Sequence, residues 1–327
     1  MPVVDVHTHV TPRRFVRAIE RDGRWHTLGP DVGELHIPKF HASPAEIVAD
    51  MDALRVDVYV LTPNEDFFKY DLDPQLTAVI ARECNEELRE YTQEYPDRFC
   101  ALATLPMQDV PRAIAEMEHW MTVPAFKGVT VGDHVNGHTW DEPQFRPFWK
   151  RVEELDAFVF FHQCTATVVS HLTRRYGLPN AVGNLTDRAL TFGSLVLGGV
   201  VDEFPDLKLC LGHAGGYVAF GIARMDKAWH AGLTLGRTSE LGDARACLQR
   251  PPSEYLGRFY YDCCTHSEAS LRFLIDMVGV DRVVLGTDTP APMVLDDAVR
   301  WIDGLGSLSS SDKDAILSAN ATRALGL

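Results

Sequence analysis

The sequence lacks the features that place a protein in a membrane. None of its apolar runs reaches the roughly 20 residues that a transmembrane helix needs. The first residues lead into a strand-like segment, without the basic, apolar and small-residue order of a secretory signal. We therefore expect no membrane association and a cytoplasmic location.

Positive charge is also scarce. The chain has 31 Lys and Arg against 46 Asp and Glu, which gives a net charge of −15 at pH 7. Nucleic acids and anionic membrane surfaces are bound through positive patches, so this balance excludes both as general partners. A local cation could still hold a small acidic substrate.

Signs of a disulfide framework or of several domains are missing as well. The seven cysteines show no CxxC spacing, and their odd number favours reduced, mostly buried thiols. No low-complexity tract, internal repeat or linker divides the chain. With 327 residues, 46% hydrophobic and 24% charged, it can bury one large core.

What is present is a regular alternation of strand-like and helix-like segments. The predicted strands are residues 3–6, 57–61, 99–105, 128–131, 158–162, 207–212, 259–262 and 283–287. The predicted helices include residues 44–54, 74–95, 110–121, 143–155, 267–278 and 311–325. Because eight β-α repeats imply a closed parallel sheet, we expect an α/β fold, a (β/α)8 TIM barrel, as a single domain over residues 1–327.

Three segments interrupt this alternation. Residues 11–41 lack clear periodicity, and we expect an insertion after the first strand that forms a flap or short hairpin over the rim. Residues 163–179 are predicted to do the same after the fifth strand, and long loops of this kind are usually functional. The polar segment 232–252 is interpreted as surface or subunit contact.

Metal-ligand residues stand where the predicted strands end. His7 and His9 follow the first apolar run, and residues two apart on a strand point to the same face. His162, His213 and Asp288 each follow another apolar run. In a barrel these strand ends meet at one rim, so the five side chains are expected to form one site.

The chemistry of these residues suits a catalytic zinc ion. Imidazoles and a carboxylate from His7, His9, His162 and Asp288 would leave room for a water, whose pKa the ion lowers from about 15.7 to roughly 7. His213 could ligate a second ion, but it fits better as the base that accepts the water's proton. Asp288 could both bind the metal and shuttle a proton.

Several motifs in order resemble the amidohydrolase superfamily, and within it the metal-dependent decarboxylase branch typified by aminocarboxymuconate semialdehyde decarboxylase. They are His7-Thr8-His9, Thr104-Leu105-Pro106-Met107-Gln108, the run at 128–136, Gly212-His213-Ala214-Gly215-Gly216, Arg224-Met225-Asp226-Lys227-Ala228-Trp229, Leu285-Gly286-Thr287-Asp288 and Ser318-Ala319-Asn320-Ala321.

The resemblance implies a carboxy-lyase of aromatic catabolism that uses one Zn²⁺ and no organic cofactor. It implies that His7, His9, His162 and Asp288 bind the ion and that His213 activates the water. Arg224 would reach into a neighbouring subunit's site to hold a substrate carboxylate, which makes a homodimer or higher oligomer the expected state. The first motif is HxH rather than the ExH of some benzoate decarboxylases, which favours Zn²⁺ over Mn²⁺.

The pocket residues depart from the semialdehyde decarboxylase pattern. Residues 29–50 contain no Arg, Asn180 stands in place of a Trp, and Gln163-Cys164 in place of Pro-Trp. A hydroxypicolinate or hydroxybenzoate is therefore as well supported as the semialdehyde. A zinc-dependent hydrolase of a lactone, amide or carbon–carbon bond is the main rival, because fold and metal do not choose the reaction. A third alternative is a non-catalytic metal-binding or scaffold protein. It is disfavoured because His213 would then have no function.

Overall fold

The structure is a computed structural model and describes residues 1–164, 166–173, 175–231 and 248–327. Most of the segment 232–252, interpreted above as surface or subunit contact, lies outside these residues. Within them the chain forms eight strands: β1 Val4–Val10, β2 Val58–Pro63, β3 Phe99–Ala103, β4 Phe126–Gly132, β5 Phe158–His162, β6 Lys208–Leu211, β7 Phe259–Asp262 and β8 Val283–Val284.

The strands are parallel and pair in chain order from β1 to β8. Backbone hydrogen bonds then join β1 to the segment that follows β8. Val6 N donates to Leu285 O at 3.0 Å, and His9 N donates to Thr289 O at 2.8 Å. These bonds close the sheet, which confirms the predicted (β/α)8 barrel.

Helices surround the sheet. They are α1 Arg13–Asp22, α2 Pro44–Leu54, α3 Pro74–Glu94, α4 Val110–Met121, α5 Arg146–Glu154, α6 Leu185–Leu197, α7 Val200–Glu203, α8 Val218–Ala231, α9 Glu268–Val278, α10 Ala298–Gly304, α11 Ser310–Asp314 and α12 Asn320–Leu325. Short 3₁₀ or π segments cover Pro38–His41, Glu65–Phe67, Pro143–Phe145, Pro179–Asn184, His213–Gly215, Pro252–Arg258, Val280–Arg282 and Ala315–Ala319. None of the helices in the described part of the chain is both long and apolar enough to cross a bilayer.

Local sequence signals set several of these boundaries. Helix α2 begins with a capping box, in which Ser43 and Glu46 satisfy each other's backbone N–H groups, and Pro44 occupies its first turn. At the starts of α3 and α4, the side chains of Asp73 and Asp109 accept hydrogen bonds from backbone N–H groups of the first turn. Helices α2 and α4 therefore span the residues that the sequence predicts.

The insertion after β1 is more regular than the sequence suggests. Residues 11–41 contain helix α1, whose Phe15 is fully buried, and a single antiparallel bridge between Trp25 and Leu28. Phe15 and Trp25 pack edge-on against Phe67, which follows β2. The expected flap is thus a short helix with an aromatic core, because this packing outweighs the weak periodicity of the sequence.

Alternate residues of the strands fill the inside of the barrel. Apolar side chains from seven of the strands form one buried cluster there, to which α12 also contributes. Phe158 and Phe160 of β5 belong to this cluster, so the strand alternation turns His162 inward as well. Tyr70, Phe161 and other large side chains pack in a second cluster between strands and helices. The carboxyl-end rim is therefore where inward-facing polar residues can gather.

Candidate metal centre and active site

Four of the predicted site residues meet at the rim of the barrel. His7, His9, His162 and Asp288 are all buried, and one ligand atom from each lies within 4.8 Å of the others. Asp288 Oδ1 lies 3.1 Å from His7 Nε2, 3.2 Å from His9 Nε2 and 3.8 Å from His162 Nε2. Residues that are up to 281 positions apart in sequence thus share one small space.

A β-bulge in β1 places both His7 and His9 in this space. Asp5 pairs with Tyr59 of β2, but Thr8 pairs with Leu61, so two residues of β1 stand opposite one residue of β2. The extra residue shifts the alternation of the strand. Val6 stays in the apolar interior while His7, the next residue, turns toward the site.

Neighbouring acceptors fix the tautomers of two of the imidazoles. His7 Nδ1 lies 2.7 Å from Asp262 Oδ2, and His9 Nδ1 lies 3.0 Å from Thr62 Oγ1. The Thr62 hydroxyl already donates to Thr8 O at 3.1 Å, so it accepts from the ring of His9. Both rings therefore present an unprotonated Nε2 to the centre of the site, as a metal requires.

Asp262, at the end of β7, is a functional residue that the sequence reading missed. Besides His7 it accepts hydrogen bonds from the backbone N of His213 at 2.8 Å and of Ala214 at 2.6 Å. One buried carboxylate thus orients a metal ligand and the residue predicted as the base. Its signal was present, since it ends the apolar run of strand 259–262 as the other site residues end theirs.

The unsatisfied atoms of the site fit a divalent cation. His7 Nε2, His9 Nε2, both nitrogens of His162 and Asp288 Oδ1 are buried and have no hydrogen-bond partner among the described residues. Buried polar atoms are rarely left unpaired unless a ligand or water completes them. Burial opposes a charged His7, but the carboxylates of Asp288 and Asp262 raise the pKa of this imidazole to about 10. The two carboxylates thus favour a positive charge at this position, which a cation bound to a neutral His7 would supply.

His213 stands on the other side of the same carboxylate. Its Nε2 lies 3.4 Å from Asp288 Oδ2, whereas the contacts of the other three imidazoles are to Oδ1. Burial lowers the pKa of His213, so its ring is neutral and can accept a proton. His213 and Asp288 both adopt positive φ values, of 54° and 65°, which is a strained conformation for residues other than glycine.

Comparison with known proteins agrees with this geometry. The profile of the amidohydrolase family matches residues 4–327. This chain belongs to the amidohydrolase family.

Its relatives include decarboxylases. A 2-amino-3-carboxymuconate-6-semialdehyde decarboxylase from Dictyostelium discoideum is 29% identical, and the match covers 99% of this chain and 91% of the relative. A gamma-resorcylate decarboxylase from a Rhizobium species is also 29% identical, with 84% of each chain covered. Both are carboxy-lyases, the enzyme class that the sequence motifs predict.

Solved structures share the fold. A dihydroxybenzoic acid decarboxylase from Polaromonas sp. JS666, which contains manganese and the inhibitor 2-nitroresorcinol, superposes with a TM-score of 0.82 at 22% identity. The superposition covers 100% of this amidohydrolase and 97% of that chain. The barrel predicted from the sequence is therefore also the fold of this solved structure.

Arg224 is the one predicted site residue that lies apart from the others. It is exposed on α8, and no described contact joins it to the metal ligands of its own chain. Phe220, four residues earlier on the same helix, is 84% exposed and lines a cavity of about 860 Å³. Residues four apart share one face of a helix, so Arg224 lies on the same exposed face of α8 as Phe220.

The cavity opens beside the metal centre of the amidohydrolase. His213 forms part of its wall, together with Asn180, and most of the remaining wall is apolar. The lining residues include Leu185, Ala214, Tyr217, Phe220, Cys264, Phe273, Leu274 and Met293. A concave, mostly apolar space with a few polar groups is the usual form of a site for a small organic ligand.

Glu65 is a further residue that the sequence reading did not single out. It lies just after β2, with Oε2 3.9 Å from His162 Nδ1 and Oε1 accepting a hydrogen bond of 3.0 Å from Gln163 Nε2. Burial raises the pKa of Glu65 to about 7, and the nearby carboxylates of Asp66 and Asp288 act in the same direction. No apolar run ends at Glu65, so no strand-end signal marks it.

Proposed function

We propose that this amidohydrolase is a zinc-dependent, nonoxidative decarboxylase that releases CO2 from a small unsaturated or hydroxylated aromatic or pyridine carboxylic acid. The observation that carries the proposal is the convergence of His7, His9, His162 and Asp288 next to His213. Support also comes from the two decarboxylase relatives that match most of the chain.

The donor set suits zinc. Three imidazole nitrogens and one carboxylate oxygen are ligands that Zn²⁺ commonly takes, and His7, His9, His162 and Asp288 would hold it. When bound, the ion supplies a Lewis acid that polarises oxygen atoms of the substrate. Manganese, which the Polaromonas structure contains, is the alternative, and metal analysis of the purified protein decides between the two.

His213 and Asp288 are placed to manage the proton of the reaction. In decarboxylation the bond to the carboxylate carbon breaks, CO2 leaves, and the carbon that carried it gains one proton. Asp288 Oδ2 lies 3.4 Å from His213 Nε2, so a proton can pass between these two atoms. After the ring of His213 takes up a proton from solvent, Asp288 relays this proton to the substrate carbon, and His213 returns to its neutral state.

A homodimer or higher oligomer is part of the proposal. Within one subunit Arg224 is exposed, and with Phe220 it forms a mixed cationic and apolar surface on α8. In the proposed dimer Arg224 enters the partner's cavity and pairs with the substrate carboxylate, as arginine does with carboxylates elsewhere. A small acid is then held between the metal centre and a cation from the second subunit.

The experiment combines metal analysis with product detection. The purified protein is assayed for CO2 release across hydroxypicolinates, hydroxybenzoates and the aminocarboxymuconate semialdehyde in ¹⁸O-labelled water. Stoichiometric CO2 with no ¹⁸O in the organic product is the expected result. Entry of ¹⁸O into the product without CO2 would instead show a hydrolase that uses the same metal, and the proposal would be wrong.

A cytoplasmic location is part of the proposal. The six cysteines among the described residues are all free, and five of them are buried, as expected for a protein of a reducing compartment. Fractionation of the source cells, with a cytoplasmic and a secreted marker enzyme followed in parallel, checks this point.

A further inference from the structure

The three metal-binding histidines differ in how their second ring nitrogen is held. His7 Nδ1 has Asp262 at 2.7 Å and His9 Nδ1 has Thr62 at 3.0 Å. His162 Nδ1 is buried and has no hydrogen-bond partner among the described residues. A histidine that binds a metal through Nε2 carries its proton on Nδ1, and this N–H almost always has an acceptor.

The carboxylate of Glu65 is an acceptor that lies near His162 Nδ1. Its Oε2 lies 3.9 Å from His162 Nδ1, about 1 Å beyond a hydrogen bond. The Glu65 side chain is 27% exposed, and a rotation about its torsions would be needed to close that gap. Gln163, the residue after the ligand, donates from Nε2 to Glu65 Oε1 at 3.0 Å and keeps the carboxylate on this side of the ring.

The backbone around Glu65 is fixed by its neighbours rather than by Glu65 itself. Asn64 Oδ1 accepts from Asp66 N at 3.1 Å, and Asp66 Oδ2 accepts from Gly33 N at 2.7 Å. Phe67 is fully buried in the aromatic cluster with Phe15. The turn therefore holds the Glu65 side chain over the site without needing that carboxylate for its own stability.

We propose that Glu65 is a positioning residue for the metal ligand His162, whose Nδ1 proton its Oε2 accepts. Each of the three histidines then has its own acceptor: Asp262 at the end of β7, Thr62 in β2 and Glu65 in the turn after β2. Loss of Glu65 weakens metal binding and leaves the fold intact. This inference rests on the metal site of the proposed function but not on the reaction.

The test measures the affinity of the full-length apoprotein for Co²⁺ alone, by competition with a chromophoric chelator, and records the visible absorption of the bound ion. Glu65→Ala is expected to weaken Co²⁺ binding by about 10- to 100-fold and to alter the spectrum. Glu65→Gln is expected to lose less, because its amide oxygen still accepts from the ring. Thermal unfolding of both apo variants is expected to match that of the parent apoprotein.

Two control variants separate this role from other effects. Thr62→Val removes the acceptor of His9 and is expected to weaken Co²⁺ binding to a similar degree. Asp66→Asn removes a negative charge from the same turn but keeps an acceptor for Gly33 N, and its Co²⁺ affinity is expected to stay within twofold of the parent.

Two outcomes would overturn the inference. One is an unchanged Co²⁺ affinity in both Glu65 variants while Thr62→Val binds weakly. The other is an equal loss in Asp66→Asn and Glu65→Gln, which would reduce the effect to net charge. If the parent protein binds Co²⁺ but releases CO2 from no acid, the proposed reaction fails and the affinities still decide the role of Glu65.

Discussion

Asp288 divides its two carboxylate oxygens between two tasks. Oδ1 faces the Nε2 atoms of His7, His9 and His162, and Oδ2 faces His213. Burial would raise the pKa of Asp288, but the imidazoles of His7, His162 and His213 beside it hold this pKa well below its usual value. The ionised carboxylate can thus bind a cation on one side and exchange a proton on the other.

Substitutions at these residues should separate metal binding from turnover. His9→Ala and Asp288→Ala are expected to lose the bound metal and CO2 release together, because each removes a ligand atom. His213→Asn is expected to keep a full equivalent of metal and to lose turnover by about 100-fold or more, as loss of a general base does. Metal content by mass spectrometry and CO2 release measure the two effects, and loss of the ion in His213→Asn would contradict this assignment.

Asp262 connects the metal ligand His7 with the backbone of His213 and Ala214. Asp262→Asn keeps one acceptor but removes the charge that holds the proton on His7 Nδ1. We expect metal affinity to fall by about 10- to 100-fold. Chelator competition measures the change, and the exposed Asp281→Asn serves as the control that should bind metal as the parent does.

Among the secondary-structure elements, β1 and the segment after β8 determine the shape of the site. The bulge in β1 turns His7 inward, and Gly286 lies directly against it. A Cβ at Gly286 would lie 2.6 Å from the Cβ of Asp262 and 3.0 Å from the Cβ of His7. A Cβ atom does not approach another atom as closely as 2.6 Å, so only glycine lets the segment after β8 pack against both Asp262 of β7 and His7 of β1.

Gly286→Ala should therefore damage both stability and the metal site. The added methyl must push Asp262 or His7 aside, and overpacking of this kind costs about 1–3 kcal/mol of the free energy of unfolding. We also expect weaker metal binding, because the two displaced residues are a ligand and its orienting carboxylate. Urea unfolding of the apoprotein and chelator competition measure the two effects.

Gly193→Ala in α6 is the matched control. A Cβ there meets nothing within 4 Å, so the substitution should raise the helix's stability by about 0.5–1 kcal/mol. Equal free energies of unfolding for Gly286→Ala and the parent would contradict the prediction, because they would show that Asp262 and His7 can make room for the methyl group without loss of stability.

At the scale of the whole molecule, the bound metal should stabilise the folded barrel against unfolding. Its ligands come from β1, β5 and the segment after β8, which meet only in the folded state. A ligand that binds only the folded state stabilises it by about 2.7 kcal/mol at 100 times its dissociation constant.

Chelation should therefore lower the melting temperature by a few degrees, and re-addition of zinc should restore it. Calorimetry of the metal-free and reloaded protein measures the shift. Because the chain is predicted to be a single domain, both samples should unfold in one transition. A separate low-temperature transition would show that part of the chain unfolds independently. An unchanged melting temperature would show that the metal does not stabilise the fold.

The proposed exchange of Arg224 between subunits also belongs to the whole molecule. Arg224→Ala and His213→Asn should each be inactive alone, but a mixed dimer of the two contains one complete site. Random mixing makes half of the dimers mixed, so we expect roughly a quarter of parental activity to return. Subunits are mixed after mild dissociation and assayed for CO2 release, and a failure to recover activity would place Arg224 outside the site.

The strand-end pattern of polar residues predicted much of this architecture. His162 and Asp288 each follow an apolar run, and parallel strands in a barrel bring such ends to one rim. Local caps such as Ser43 with Glu46 placed helix boundaries equally well, because they depend on a few neighbouring residues. The rim insertion was predicted with less success, since α1 is stabilised mainly by distant aromatic contacts.

The sequence alone determined the metal ligands, because their residue types and their positions at strand ends are local properties of the chain. The tertiary structure decided how those ligands are oriented. The bulge at His7 depends on pairing with β2, and the contacts of Asp262 and Glu65 join residues 255 and 97 positions apart. Such contacts exist only after the barrel closes, so no pattern along the sequence could specify them.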